Sequence, residues 1–166
     1  MNTKESLKVA VVGCGGIARH HIAAIRGIKS VKLAAVCDVN EDLARQVARR
    51  SNIGSYFTDF SEMLARVKVD VVDICTPPQT HATLAIQAME AGNHVLVEKP
   101  MALNLSDADR MVETAEMKGV KLGVVHNELF LPIVLKARSM VAKGVIGDLV
   151  GLSITDTLPR DHAKVV

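Results

Sequence analysis

Residues 7–38 read LKVAVVGCGGIARHHIAAIRGIKSVKLAAVCD, and they combine two apolar runs with a glycine-rich turn and a helical pattern between them. The run at residues 8–12 is short and rich in β-branched side chains, which indicates a buried parallel strand. It continues directly into GCGGIA at residues 13–18, which fits the pattern G-x-G-x-x-G/A. The second apolar run, residues 31–37, ends at Asp38, the position expected for the acidic partner of such a turn. This order of features predicts a dinucleotide-binding βαβ unit.

Each residue type in the glycine-rich turn has a physical role. Gly13 permits a tight turn out of the strand, and Gly15 lets the backbone approach a pyrophosphate without an intervening Cβ. Ala18 is small enough for close packing of the helix on the strand. The helix then directs its unpaired N–H groups and the positive end of its dipole at the phosphates. The predicted phosphate-binding residues are Gly13, Cys14, Gly15, Gly16 and Ile17.

Asp38 bears on which cofactor binds. Its carboxylate lies at the carboxyl end of the second strand, where it can accept both hydroxyls of an adenosine ribose. Val39 and Asn40 follow it, so no adjacent Arg or Lys is available for a 2′-phosphate. The sequence therefore favours NAD, with NADP as the alternative. A glycine-rich turn can also be purely structural, but the strand, helix and second strand in register with Asp38 favour a cofactor site.

Composition excludes several classes of protein. The 166 residues are 49% hydrophobic, enough for one domain with a complete core. Lys and Arg total 20 against 18 Asp and Glu, and the aromatics are three Phe, one Tyr and no Trp. This balance indicates no nucleic-acid partner. The polar start lacks a signal-peptide core and no apolar run reaches membrane-spanning length, so we expect a soluble, cytoplasmic protein.

Three cysteines and a pair of adjacent histidines are candidate metal ligands, but their spacing does not support a metal site. Cys14, Cys37 and Cys75 are odd in number and lack C-x-x-C spacing, so neither a disulfide framework nor a zinc site is predicted. Each falls at the end of a predicted strand, so we expect them to cluster at the carboxyl edge of the sheet. His20 and His21 are adjacent and must point to different helix faces. One exposed and one packed histidine are expected, and no metal ligand.

The remainder of the first 125 residues alternates between extended and helical patterns. This alternation favours an α/β fold, a Rossmann-type doubly wound parallel sheet. The predicted strands are residues 56–57, 69–75, 94–97 and 120–125. The predicted helices are residues 41–50, 59–67, 79–91 and a helix capped by Ser106 that ends near residue 118. Residues 1–125 are the predicted NAD(P)-binding domain.

The pattern changes after residue 125. Residues 126–132 are irregular, residues 133–143 are helical, and the glycines at 144 and 147 indicate a turn. Residues 149–155 alternate apolar and polar side chains, which predicts a half-buried antiparallel strand. Residues 126–166 are therefore interpreted as the truncated start of a second α+β domain: a crossing segment, a helix and a first strand.

Several segments together resemble the Gfo/Idh/MocA family of nicotinamide-dependent oxidoreductases. The glycine-rich turn is similar to the family's phosphate loop, TPPQTH at residues 76–81 to its T-P-P-x-x-H segment, and EKP at residues 98–100 to its E-K-P motif. GVIG at residues 144–147 resembles the turn that enters its C-terminal domain. The resemblance runs from about residue 7 to residue 155.

The resemblance implies a two-domain dehydrogenase that transfers a hydride between NAD(P) and a secondary alcohol of a sugar or cyclitol. A small-molecule substrate and a homo-oligomer are expected. Lys99 is the implied catalytic residue: at the carboxyl end of a strand, its ammonium can stabilise negative charge on the reacting oxygen. The implied cofactor-binding residues also include Thr76, Pro77, His81, Glu98 and Asn127. In the family, the second domain supplies an Asp/His pair and most substrate contacts, so little turnover is expected from this chain alone.

Alternatives remain for some of these residues. His81 either faces the cofactor or is a packed, hydrogen-bonded histidine. Glu98 either pairs with Lys99 or contacts the nicotinamide ribose, and the Lys99–Pro100 bond is a candidate cis bond. His126 and Asn127 either face the nicotinamide and substrate or are solvated. The alternative function is a non-catalytic NAD-sensing or partner-binding module.

Overall fold

A computed structural model describes residues 6–155 of the chain. Within them, six strands form one sheet in which every neighbouring pair is parallel. The strands are β1 (Leu7–Val12), β2 (Val31–Cys37), β3 (Tyr56–Phe57), β4 (Val71–Ile74), β5 (His94–Glu98) and β6 (Leu122–Val125). Their order is β3-β2-β1-β4-β5-β6. The strand order reverses between β1 and β4, the point where open α/β sheets form a ligand crevice.

Helices α1 (Ala18–Arg26), α2 (Glu41–Arg50), α3 (Phe60–Arg66), α4 (His81–Glu90) and α5 (Leu105–Lys118) connect the strands and cover both faces of the sheet. A further helix, α6 (Pro132–Ala142), follows β6 in the chain. On β1, Val11 packs in one cluster with α1 and α2, while Ala10 and Val12 pack in another with α3, α4 and α5. Side chains of a strand point alternately to the two faces, so this division confirms the predicted doubly wound fold.

Helix caps explain several boundaries. The side chains of Asn40 and Asp59 accept hydrogen bonds from N–H groups in the first turns of α2 and α3. The prediction that Ser106 caps α5 was wrong. Asn104 is the cap, because its backbone is extended and its side chain accepts from the N–H of Asp107, which places Ser106 inside the first turn. Gly119 ends α5 in the left-handed conformation, as expected.

Backbone contacts divide the chain into two units, the first ending at His126 and the second beginning at Asn127. The second unit contains a 3₁₀ turn, Asn127–Phe130, and then α6. The strand predicted at residues 149–155 is wrong, since this segment has no regular structure. Alternation alone does not make a strand. A strand needs a neighbour for its N–H and C=O groups, and none lies beside this segment in the described residues.

Two predictions reach beyond the described residues. The outer parts of both predicted domains, residues 1–5 and 156–166, lie outside the part of the chain that the structure covers. Among the helices that are described, none combines the length and the apolar character needed to cross a bilayer.

Candidate functional site

Gly13 follows β1 and has a backbone conformation that only glycine adopts easily. Its φ is +88°, and a Cβ built there would lie 2.7 Å from the carbonyl carbon of Cys75 and 2.8 Å from the nitrogen of Thr76. The turn therefore depends on glycine both for its backbone angle and for the close approach to the segment after β4. A Cβ on Gly15 or Gly16 would meet nothing within 4 Å. Those two glycines leave an open surface above the turn.

The Asp38 carboxylate is held by the backbone on both oxygens. The N–H of Cys14 donates to Oδ2 at 2.7 Å, and the N–H of Asn40 donates to Oδ1 at 2.8 Å. The acidic residue after β2 is thereby tied to the glycine-rich turn after β1. Each carboxylate oxygen can accept more than one hydrogen bond, so capacity remains for a ligand.

A cleft of about 610 Å³ lies at the carboxyl ends of β1, β2 and β4. Gly13, Gly15, Asp38, Thr76 and Pro77 are among the residues that line it. The structure therefore brings together glycines of the turn, the acidic residue and the start of TPPQTH, which are separated by up to 64 positions in the sequence.

The amino end of α1 lies beside this cleft and has no side-chain cap. Ile17 precedes the helix, no side chain accepts from its first turn, and that turn contains no acidic residue. By contrast, α2, α3 and α5 are capped by Asn40, Asp59 and Asn104. An uncapped helix start offers N–H donors and a partial positive charge, which suits a phosphate group.

His81 is the packed histidine of the two alternatives. Its side chain is fully buried, with Nδ1 2.8 Å from the carbonyl oxygen of Pro100 and Nε2 2.8 Å from that of Thr76. The ring thus links the segment after β4 to the segment after β5. In this arrangement no ring nitrogen is left for a direct contact with a cofactor.

Lys99 follows β5 directly and is exposed, and its peptide bond to Pro100 is cis. Its backbone N–H donates to Glu98 Oε2 at 3.1 Å. Glu98 Oε1 lies 3.0 Å from Nε2 of His21, and Glu98 is only 8% exposed. The expected pairing of Glu98 with the Lys99 side chain is not seen among the described residues, since the carboxylate binds the backbone N–H of Lys99 and the ring of His21 instead. The contact of Glu98 with the nicotinamide ribose stays a prediction.

The cluster of His21, Asp73 and Glu98 was missed from the sequence. Asp73 lies on β4 and is 1% exposed, and its carboxylate is 2.9 Å from Nδ1 of His21. A carboxylate inside a buried apolar strand requires a partner, so Asp73 was the signal that could have revealed the cluster. The hydrogen bond to Asp73, followed by the contact with Cys75, raises the pKa of His21 to about 11.

The three cysteines are buried at the carboxyl ends of three adjacent strands, β2, β1 and β4, as the sequence predicts. Burial, with a smaller contribution from nearby Asp38, raises the pKa of Cys14 to about 12 and that of Cys37 to about 11. Burial likewise raises the pKa of Cys75. These thiols are therefore poor nucleophiles at neutral pH.

His126 and Asn127 lie at the boundary between the units. His126 is exposed after β6, and Asn127 begins the 3₁₀ turn of the second unit. The first unit therefore contains every predicted site residue except Asn127.

These features fit a dinucleotide. The turn at Gly13 and Gly15 and the start of α1 suit a pyrophosphate, and Asp38 suits a ribose. Comparisons with known proteins point the same way. Residues 7–126 match the sequence profile of the oxidoreductase family GFO_IDH_MocA, NAD-binding Rossmann fold.

Curated relatives include a D-apiose dehydrogenase of Paraburkholderia graminis and a myo-inositol 2-dehydrogenase of Thermotoga maritima. Each is 33% identical to this chain, over 87% and 92% of it respectively. The chain covers only 39% and 46% of these relatives, so it spans less than half of their length.

Solved structures agree with this similarity. The WlbA dehydrogenase of Bordetella pertussis in complex with NADH and UDP-GlcNAcA superimposes with a TM-score of 0.82, at 31% identity over 86% of this chain and 44% of that one. An oxidoreductase of Agrobacterium radiobacter in complex with NAD+, L-tartaric acid and magnesium gives 0.83, at 30% identity over 86% and 42%. With the matched profile covering most of the chain, this protein belongs to the Gfo/Idh/MocA family of oxidoreductases with an NAD-binding Rossmann fold.

Proposed function

We propose that the chain is the cofactor-binding half of a dehydrogenase that acts on a secondary alcohol of a sugar or cyclitol with NAD. The observation that carries the proposal is the Asp38 carboxylate, held beside the glycine-rich turn by the N–H of Cys14. The names of the relatives, an apiose and an inositol dehydrogenase among them, support the substrate class.

Asp38 selects the cofactor in this proposal. Its carboxylate accepts hydroxyls of the adenosine ribose, while a 2′-phosphate would place negative charge beside it. Val39 and Asn40 offer no compensating cation. The uncapped start of α1 receives the pyrophosphate, with Gly15 and Gly16 allowing its close approach. Thr76 and Pro77 form a wall of the cleft.

Lys99 is the catalytic residue in this proposal. Its exposed side chain follows β5 at the same edge of the sheet as the cleft, where the carboxyl ends of the strands meet. When bound, the nicotinamide ring accepts or returns the hydride. The side chain of Lys99 contacts the reacting oxygen: its neutral amine takes the hydroxyl proton when the alcohol is oxidised, and its ammonium stabilises the oxygen's negative charge and returns the proton when the carbonyl is reduced. Asn127 adds a contact to the nicotinamide end.

A non-catalytic NAD-sensing module would keep the same cleft, so hydride transfer separates the two functions. Because little turnover is expected from the cofactor-binding half alone, the assay uses a protein that also contains a substrate domain. Reduction of NAD+ with D-apiose or myo-inositol as probes, lost on replacing Lys99 with Met, would support the dehydrogenase, whereas NAD binding without any reduction would support the sensing module. Tight NAD binding with equal activity in the Lys99→Met variant would remove Lys99 from the reaction.

Cofactor choice is tested by calorimetric titration with NAD+ and NADP+. We expect NAD+ to bind more tightly than NADP+. Asp38→Asn should lower the affinity for NAD+ by about tenfold and reduce the difference between the two affinities, because a charged acceptor becomes neutral. Asp42→Asn is the matched control, since Asp42 is exposed on α2 and pairs with Arg45. Tighter binding of NADP+ to the unmodified protein would contradict the assignment.

A further inference from the structure

His21, on α1, lies between carboxylates of two neighbouring strands. Its Nδ1 is 2.9 Å from Asp73 Oδ2 on β4, and its Nε2 is 3.0 Å from Glu98 Oε1 at the end of β5. The side chains of His21, Asp73 and Glu98 are 10%, 2% and 11% exposed. The largely buried ring of His21, on α1, therefore contacts side chains of β4 and β5 and links three elements of the first unit.

The two contacts require a hydrogen on each ring nitrogen. An ionised carboxylate only accepts hydrogen bonds, and a neutral imidazole carries a single N–H. The groups that face the ring are Asp73 and Cys75 at the end of β4 and Glu98 on β5. The hydrogen bond to Asp73 is the main reason that the pKa of His21 is raised to about 11. At neutral pH the ring is an imidazolium between two negative charges.

Glu98 connects this ring to the backbone of Lys99. One carboxylate oxygen, Oε1, faces His21, and the other, Oε2, accepts from the N–H of Lys99 at 3.1 Å. With both oxygens engaged, the carboxylate has one orientation. Loss of the His21 donor would leave a buried carboxylate oxygen without a partner, which favours rotation towards water and releases the N–H of Lys99.

A metal ion is the competing explanation for the cluster. His21, Asp73 and Cys75 each offer one ligand atom, and these atoms lie within 4.8 Å of one another. Both nitrogens of His21 already bind carboxylates, however. Burial also raises the pKa of Cys75, which disfavours the thiolate that a metal requires. The imidazolium accounts for all the contacts without an ion.

We propose that His21 is a positioning residue for Lys99: its imidazolium joins Asp73 to Glu98, and Glu98 holds the backbone where Lys99 begins. The proposal rests on the proposed function, because it assumes that the nicotinamide end of NAD reaches Lys99. A purely structural role would affect every ligand of the cleft alike. A positioning role affects only those ligands that extend to the end of β5.

Two ligands separate these roles in the full 166-residue chain. NAD+ extends to the nicotinamide, whereas ADP ends at the pyrophosphate and contains only the adenosine ribose and phosphates that Asp38 and the start of α1 would bind. We expect His21→Gln to weaken the binding of NAD+ by about tenfold, the equivalent of one charge-assisted hydrogen bond, and to leave the affinity for ADP within about twofold. His20→Gln, one position earlier and exposed, is the matched control and should change neither affinity.

Equal weakening of both ligands by His21→Gln, or of neither, would overturn the positioning role. Glu98→Gln is the second variant in case His21→Gln does not fold, and the same selective loss of NAD+ affinity is expected. If the unmodified protein binds neither ligand, the proposed function fails. The protonation state of His21 then still decides whether the ring joins two carboxylates.

The protonation state of His21 is measured by nitrogen-15 NMR of its ring. At about pH 9, well above the ordinary histidine value of about 6.5, we expect His21 to keep both N–H groups. Its contribution to stability is fully present below pH 6.5 and is lost as the pH rises through about 11. The melting temperature of His20→Gln should therefore fall more steeply in alkali than that of His21→Gln. A neutral His21 ring at about pH 8, or stoichiometric zinc lost on His21→Gln, would overturn the proposal.

Discussion

The two units of the chain bury their apolar side chains very differently. In the first unit, clusters on both faces of the sheet contain fully buried residues such as Val11, Met63 and Met111. In the second unit, no described residue is buried, and Phe130, Ile133 and Val150 are 72%, 73% and 99% exposed. A sheet with helices on both faces forms a complete core, whereas one helix with an irregular segment offers nothing to pack against.

This difference separates cofactor binding from whatever the second unit contributes. Contacts within the first unit hold Gly13, the Asp38 carboxylate and the backbone of Lys99 in place. We therefore expect substitutions at buried or site positions of the first unit to change stability or NAD binding, and substitutions of apolar residues in the second unit to change neither.

The largest effect is expected at Gly13. Gly13→Ala would force the Cβ against the Cys75 carbonyl at a φ of +88°, so we expect a loss of about 3 kcal/mol or more in the free energy of unfolding. Gly15→Ala has open space and should cost less than about 1 kcal/mol while weakening NAD binding. Urea denaturation and NAD titration measure both. A Gly13→Ala protein as stable as the unmodified one would contradict the close approach.

A core substitution in each unit tests the comparison directly. Met111→Ala, at a fully buried position of α5, should lower the free energy of unfolding by about 2–4 kcal/mol because it opens a cavity. Ile133→Ala, at a largely exposed position of α6, should stay within about 0.5 kcal/mol. Both are read from denaturant unfolding monitored by circular dichroism. Similar losses for the two variants would show that Ile133 is covered in solution.

The smallest effect on stability is expected from deleting the residues after Gly147. The deletion removes Leu149, Leu152 and Ile154, which are 52%, 75% and 77% exposed. NAD affinity should be unchanged and the free energy of unfolding of the first unit should move by less than about 0.5 kcal/mol. Exposed apolar side chains promote association, so sedimentation should shift towards monomer. Loss of NAD binding would mean that the first unit depends on this segment.

Local patterns made most of the first unit predictable. The strand, glycine-rich turn and helix at residues 8–26 are consecutive, and each is specified by its own residues. Asp38 was predictable as the ribose acceptor because it follows the second strand at the expected distance from the glycine-rich turn. The prediction of a strand at residues 149–155 was wrong for the opposite reason. A strand there depends on a neighbouring strand, and the segment has none in the described part of the chain.

The carboxylate–histidine cluster shows where local patterns end. His21, Asp73 and Glu98 are up to 77 positions apart, and only the order β1-β4-β5 brings them together. Spacing in the sequence carries no trace of that contact. The presence of Asp73 in a buried strand indicates that its carboxylate has a hydrogen-bonding partner, but it does not indicate which residue that partner is.

The backbone hold on Asp38 has a thermodynamic consequence for ligand binding. Because Cys14 and Asn40 already donate to the two oxygens, the carboxylate has one rotamer before any ligand arrives. Little side-chain entropy is then lost when a ribose binds, and the acceptor is preorganised. The cost of aligning this group is met when the chain folds, so the free and ligand-bound forms should share the same Asp38 geometry.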